Sequence, residues 1–89
     1  MAESDEGGTV TVRYFAAARA AAGTETETLT MASGSTFGAL IDLLGDTRPP
    51  LATVLTRCSF LLDEVAVRDR TRVVPHGCRV DVLPPFAGG

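Results

Sequence analysis

The sequence predicts an α+β fold: a mixed β-sheet with one main helix packed on one face. Five short segments read as strands, the longer ones alternating apolar and polar residues with a period of two. One segment instead repeats its apolar residues with the period of a helix. The order is β-β-α-β-β-β, which leaves a single helix to cover one face of the sheet. At 89 residues the chain reads as one domain, and 45% hydrophobic residues supply a core. A chain of this size buries roughly 65% of its unfolded surface on folding.

The first element is "TVTVRYF", Thr9 to Phe15. Its alternation puts Val10, Val12 and Tyr14 on one face and Thr11, Arg13 and Phe15 on the other. "AAARAAAG" has helical propensity, but it is short and ends in glycine, so it is expected to be a hairpin connection. "ETETLTM" follows as a second strand with Leu29 and Met31 inward, antiparallel to the first.

The helix is "SGSTFGALIDLLG". Ser35 or Thr36 can cap its first turn, and Phe37, Leu40, Ile41 and Leu44 form an apolar stripe at i, i+3, i+4 and i+7. Gly45 stands where a left-handed C-terminal residue would end it. "TRPPLATVLTR" is expected as a loop with one short helical turn from Pro50.

"CSFLL" and "VAV" are short strands around Asp63-Glu64, a poor pair for a tight type I′ turn, so an irregular hairpin is expected. "RDRTR" reads as a solvated edge, "VVPHG" as a turn, and "CRVDVL" as a closing strand with Val80 and Val82 inward. Residues 1–8 are expected to be a flexible acidic N-terminus, 9–83 the folded domain, and 84–89 an extended flexible tail. Together these elements make the arrangement of a β-grasp, or ubiquitin-like, roll, in which the first and last strands lie side by side in the middle.

Charge and motifs narrow the function. A net charge of −3 argues against nucleic-acid binding, which needs a basic stripe. No apolar run reaches the roughly 20 residues that span a bilayer. "MAESDEGG" is neither a signal nor a transit peptide, so a cytoplasmic location with no membrane partner is expected. Cys58, Cys78 and His76 are too few for a four-ligand zinc site. The thiols are expected to be reduced, and "PHGC" reads as a turn entering a strand rather than a catalytic Cys-His pair. All eight basic residues are Arg. An Arg-favouring genome explains that, and a chain with an activated C-terminus would also gain from lacking side-chain amines to acylate. GxxxxGK[ST], GxGxxG and HExxH are all missing, so the chain has no phosphate cradle of its own.

What remains is the end, "VLPPFAGG". Pro84 and Pro85 carry no N–H, so they stop strand pairing and favour an extended chain. The residues from Pro84 through Phe86 and Ala87 to Gly89 reach roughly 20 Å when stretched. Gly88 and Gly89 fit a channel too narrow for side chains. If the first and last strands are neighbours, Phe15 and Leu83 share the outer face beside this tail and form a candidate docking site.

"VRYFAAARAAAG" and "VDVLPPFAGG" resemble the opening and closing motifs of the molybdopterin synthase small subunits, the MoaD type of the MoaD/ThiS sulfur-carrier family. The similarity covers residues 10–89. The chain departs from the pattern at "PHGCRV", where an acidic turn is usual, and at Asp63-Glu64. The resemblance implies that an E1-like adenylyltransferase uses ATP to adenylate Gly89. A persulfide donor then replaces AMP with sulfur, and the thiocarboxylate donates sulfur to a pterin precursor inside the large molybdopterin synthase subunit. The resemblance further implies no cofactor bound by this chain, partner contacts at Phe15, Arg19 and Leu83, and a clearance role for Gly88. Carriers for thiamine or cysteine synthesis, protein modifiers, and plain β-grasp interaction modules are the competing readings.

Overall fold

The computed structural model describes residues 8–85. Its elements are β1 (Gly8–Tyr14), α1 (Ala16–Ala22), β2 (Thr26–Met31), α2 (Phe37–Thr47), α3 (Pro49–Leu55), β3 (Ser59–Leu62), β4 (Val65–Ala66) and β5 (Cys78–Leu83). They form one five-stranded sheet in the order β2-β1-β5-β3-β4. The pair β1–β5 is parallel and every other pair is antiparallel. The first and last strands therefore lie side by side at the centre, as expected of a β-grasp roll. The strand begins one residue before the expected boundary, because Gly8 pairs with Met31. A Cβ there would lie 2.6 Å from His76, so only glycine lets the backbone pass.

The alternation of β1 holds: Val10, Val12 and Tyr14 are almost fully buried. Across the sheet they meet Val80 and Val82, and from above they meet the stripe of α2. Phe37, Leu40 and Leu44 are buried, while Ile41 packs at the margin. Phe37 stacks edge-on against Phe60 of β3, with ring centroids 5.1 Å apart. Thr36 is the N-cap, its hydroxyl oxygen accepting from the Ala39 N–H. Loop carbonyls satisfy the helix's next free donors, with Phe37 N–H bonding Arg72 O and Gly38 N–H bonding Arg70 O. This cap draws the "RDRTR" segment onto α2, where Arg70 pairs with Asp42 at 2.9 Å.

Four local expectations are corrected. "AAARAAAG" is a real helix, because Ala18 and Ala22 turn one face into the core and Gly23 supplies a left-handed C-cap whose N–H bonds Arg19 O. Gly45 does not end α2. It lies inside the helix, where α3 comes so near that a Cβ would sit 3.0 Å from that of Ala52. α3 is two turns rather than one, starting on Pro49 and Pro50 at positions where a missing N–H removes no bond and burying Leu51 and Leu55. The Asp63-Glu64 turn is tight rather than irregular, with both residues at positive φ (48° and 74°) and Leu62 paired with Val65. Asp63 tolerates this because its N–H bonds Arg79 O and its carboxylate accepts from Arg79 N–H.

A polar cluster closes one end of the core. The Tyr14 hydroxyl donates to Glu27, and Arg48 binds the same carboxylate through two bonds of 2.7 and 3.1 Å. It ties β1 and β2 to the junction of α2 and α3. Burial alone would raise the Glu27 carboxyl, but the bonds from Arg48 and Tyr14 outweigh it and hold it below the ordinary range. Tyr14 is displaced upward, first by burial and then by Glu27. A carboxyl with a lower pKa folded than unfolded adds stability above its unfolded pKa and loses it as pH falls through the folded value. A phenol raised on folding contributes below its unfolded pKa, near 10, and loses that contribution at higher pH. Stability in urea should therefore fall as pH drops through and below the ordinary glutamate range, and Glu27→Gln should flatten that slope. Asp69, held low by Thr71, leaves a residual slope in the variant. An unaltered slope would remove Glu27 as a source of acid sensitivity.

Candidate docking face and C-terminal segment

Because β1 and β5 run parallel, their C-terminal ends lie at the same side of the sheet. The register pairs Arg13 with Asp81 and Tyr14 with Val82. Tyr14 and Val82 face the core, whereas Arg13 and Asp81 face away from the helices. One step further, Phe15 N–H still donates to Val82 O, which brings Phe15 level with Leu83. Phe15 is 37% exposed and Leu83 half-buried beside Ser59 of β3. The two apolar residues expected on the outer face are therefore together there.

A turn of unusual shape puts Phe15 in place. Phe15 itself is extended (φ −123°, ψ 150°), and its carbonyl accepts from Ala18 and Arg19 N–H as α1 begins. Ala16 between them has φ 51°, a left-handed conformation that disfavours any side chain. The strand thus turns into a helix within one residue, leaving the Phe15 ring outside. The Arg13 guanidinium lies over that ring, 5.3 Å from its centroid.

Charged groups fill the middle of the face. Arg13 binds Asp81 in bidentate fashion, Nε to Oδ1 at 2.8 Å and Nη2 to Oδ2 at 3.1 Å. Asp81 is only 4% exposed although its face carries no helix. Arg79 approaches from the other side, its Nε 3.5 Å from Asp81 Oδ1 and its Nη2 3.2 Å from Glu64. Arg79 Nε is buried without a hydrogen-bond acceptor among the described residues. The bond to Asp81 raises the Arg13 pKa above its already high ordinary value, against the opposing effect of desolvation.

The other expected site residues fall as follows. Arg19 lies on α1 and pairs with Glu25 at 3.4 Å, both side chains mostly exposed. It touches Phe15 through its backbone N–H and does not join the sheet face. Pro84 is half-buried and Pro85 exposed, and neither extends β5. Phe86, Ala87, Gly88 and Gly89 lie outside the described residues. Cys58 and Cys78 are free thiols. Burial, then the Asp63 charge, pushes Cys78 up, and burial pushes Cys58 up, so neither is primed as a nucleophile. His76 Nδ1 is occupied, accepting the Thr9 N–H at 3.0 Å. Sequence reasoning missed Asp81 as a buried group. Its alternation with Val80 and Val82 marked it as outward, and only the β1–β5 register brings Arg13 over it.

Comparison with known proteins agrees with this arrangement. The ThiS family model matches residues 12–89. The molybdopterin synthase sulfur carrier subunit of Chlamydomonas reinhardtii is 30% identical over 81 residues, which is 90% of this chain and 98% of that protein. Among solved structures, SAMP1 of Haloferax volcanii superposes with a TM-score of 0.81 at 22% identity, covering 92% of this chain and all of that one. The complex of subunits 1 and 2 of the molybdopterin-converting factor of Helicobacter pylori contains a chain that matches with a TM-score of 0.69 at 20% identity, covering 91% of this chain and 99% of that one. With its central parallel pair, its outward Phe15 and Leu83 and its match from residue 12 to residue 89, this chain belongs to the ThiS family, the ubiquitin-like sulfur carriers of the MoaD/ThiS type.

Proposed function

We propose that this chain is the sulfur-carrier subunit of a molybdopterin synthase, working in the cytoplasm. The observation that carries the reading is that Phe15 and Leu83, one step beyond the last β1–β5 pair, stand level where the Pro-Pro segment leaves the sheet. A docking face and a narrow reactive tail are what a carrier needs to deliver its end into another protein's cleft. The similarity to the Chlamydomonas carrier, and the existence of a subunit 1–subunit 2 complex in Helicobacter pylori, support a large-subunit partner.

The chemistry follows from the tail. A C-terminal carboxylate, with a pKa near 3.3–3.7, is ionised in the cell and is a poor electrophile. An E1-like adenylyltransferase joins the Gly89 carboxylate to the α-phosphate of ATP and releases pyrophosphate. The acyl carbon is then open to attack by the sulfur of a persulfide donor, and AMP leaves. A second, reducing thiol then attacks the donor-side sulfur of the acyl disulfide, forming a new disulfide with the donor and leaving a thiocarboxylate on Gly89. Gly88 keeps the channel clear, and Phe86 and Ala87 follow Pro84 and Pro85 into the partner. The large subunit then positions the thiocarboxylate against the pterin precursor. Arg19, exposed on α1, would contact the rim of either partner, as the family resemblance implies.

Intact-mass measurement after co-expression with the activating enzyme tests the loading step. The expected result is the mass gain of one oxygen exchanged for one sulfur. Gly88→Ala, or one residue added after Gly89, should abolish that gain and leave the fold intact. Sulfur acquired by the extended chain would overturn the reading, and isopeptide-linked conjugates in its place would identify a protein modifier.

Phe15→Asp or Leu83→Asp should weaken binding to the large subunit by roughly 10- to 100-fold, the loss of one apolar anchor. Calorimetric titration and a thermal melt read the two effects separately. Collapse of the melting temperature with unchanged affinity in the folded fraction would show that these residues belong to the core instead.

A further inference from the structure

We infer that Asp81 and Arg13 are positioning residues for Phe15: the buried carboxylate holds the guanidinium, and the guanidinium holds the ring. The inference rests on the docking role proposed for Phe15 and concerns what makes that docking efficient.

Three observations lead to it. The first is that the Phe15 backbone is already fixed from both sides, its N–H on Val82 O and its carbonyl on the first turn of α1. Only the two side-chain torsions of the ring remain to be ordered. The second is that the ring, at 37% exposure, lacks the packing that would lock those torsions from all sides. The Arg13 guanidinium lies over it, 5.3 Å from the centroid, at the distance of a cation–π contact. The third is that Arg13, a long side chain with many rotamers, is itself held at two points by Asp81. A bidentate pair fixes the plane of a guanidinium as well as its place.

The carboxylate is also in the right environment for the task. It is 4% exposed on an otherwise open face, and its neighbour Arg79 approaches Oδ1 to 3.5 Å without a hydrogen bond. Arg79 is anchored elsewhere, at Glu64 and through its backbone at Asp63. Asp81 is therefore committed to Arg13. A partner that closes over Phe15 meets a ring already in one orientation and does not have to order it on binding, and that preorganisation lowers the entropic loss of association.

The test is a double-mutant cycle against the purified large subunit of molybdopterin synthase, read by calorimetry. Asp81→Asn and Arg13→Leu should each weaken binding roughly three- to tenfold when Phe15 is present. In a Phe15→Ala background the same changes should matter less than about twofold. Equal losses in both backgrounds would mean that the charges touch the partner directly, and no loss with Phe15 present would mean that the ring needs no holding. Either result overturns the inference. Arg13→Leu keeps Asp81 beside Arg79, so it serves if Asp81→Asn destabilises the fold.

A second measurement does not depend on any partner. Side-chain relaxation by NMR on the free protein should show the Phe15 ring losing order in both variants, with Phe37 unchanged as internal control. A Phe15 ring that stays as ordered as in the parent chain would refute the positioning role. Should Phe15→Ala bind the large subunit as tightly as the parent while the ring order responds as expected, the docking reading fails and the positioning stands.

Discussion

A parallel pair of strands needs a long return connection, and between β1 and β5 that connection is nearly the whole domain. Arg13 and Asp81, opposite one another in the sheet, are 68 residues apart in sequence. The two helices that cover the core, the crossover through α3 and the hairpin of β3 and β4 all lie inside this loop. Parallel pairing also decides polarity. Both central strands point the same way, so the end of β1 and the end of β5 open on the same edge. That edge carries Phe15, Leu83 and the departure of Pro84 and Pro85 from the sheet. An antiparallel pair would have sent the closing segment out at the opposite end, far from the aromatic residue.

The outer face is not the simple apolar patch that two large residues suggest. Its centre is an alternating series of charges, Arg13, Asp81, Arg79 and Glu64, laid across β1, β5 and the turn after β3. The chain as a whole carries a charge of −3, yet the middle of this face has two guanidinium groups around one buried carboxylate. Covering it requires a partner that leaves those pairs intact, because a buried ion pair broken by losing one member is strongly destabilising. In the docking proposed above, apolar anchors at the margin would supply adhesion and a closed ionic centre selectivity.

The parts of this structure legible in the sequence are those governed by burial on one side. Val10, Val12 and Tyr14, then Val80 and Val82, alternate because one face of the sheet meets the core. Phe37, Leu40 and Leu44 repeat as they do because one face of α2 meets the same core. The misread parts were settled by groups far away in sequence. The Ala-rich segment has propensity but no strong apolar stripe, and it becomes a helix with Ala18 and Ala22 buried in the core and Gly23 as its left-handed cap. The segment after Arg48 reads as a loop with one turn from Pro50, although a helix start accepts both prolines and the burial of Leu51 and Leu55 carries it for two turns. Asp63-Glu64 folds into a tight turn against local preference because Arg79, on another strand, holds Asp63 from two sides. At the site, the alternation was enough to put Phe15 and Leu83 on the outer face. The Arg13–Asp81 pair needed the register, which no local pattern encodes.

The central position of β5 has a consequence for biosynthesis. As the chain emerges from the ribosome, β1 has β2 as a neighbour on one side and nothing on the other until residues 78–83 follow. Long-range pairing of this kind is paid for in loop-closure entropy before it returns any contact, so it forms late. A truncated or still-growing polypeptide therefore cannot assemble the surface that other proteins would grip.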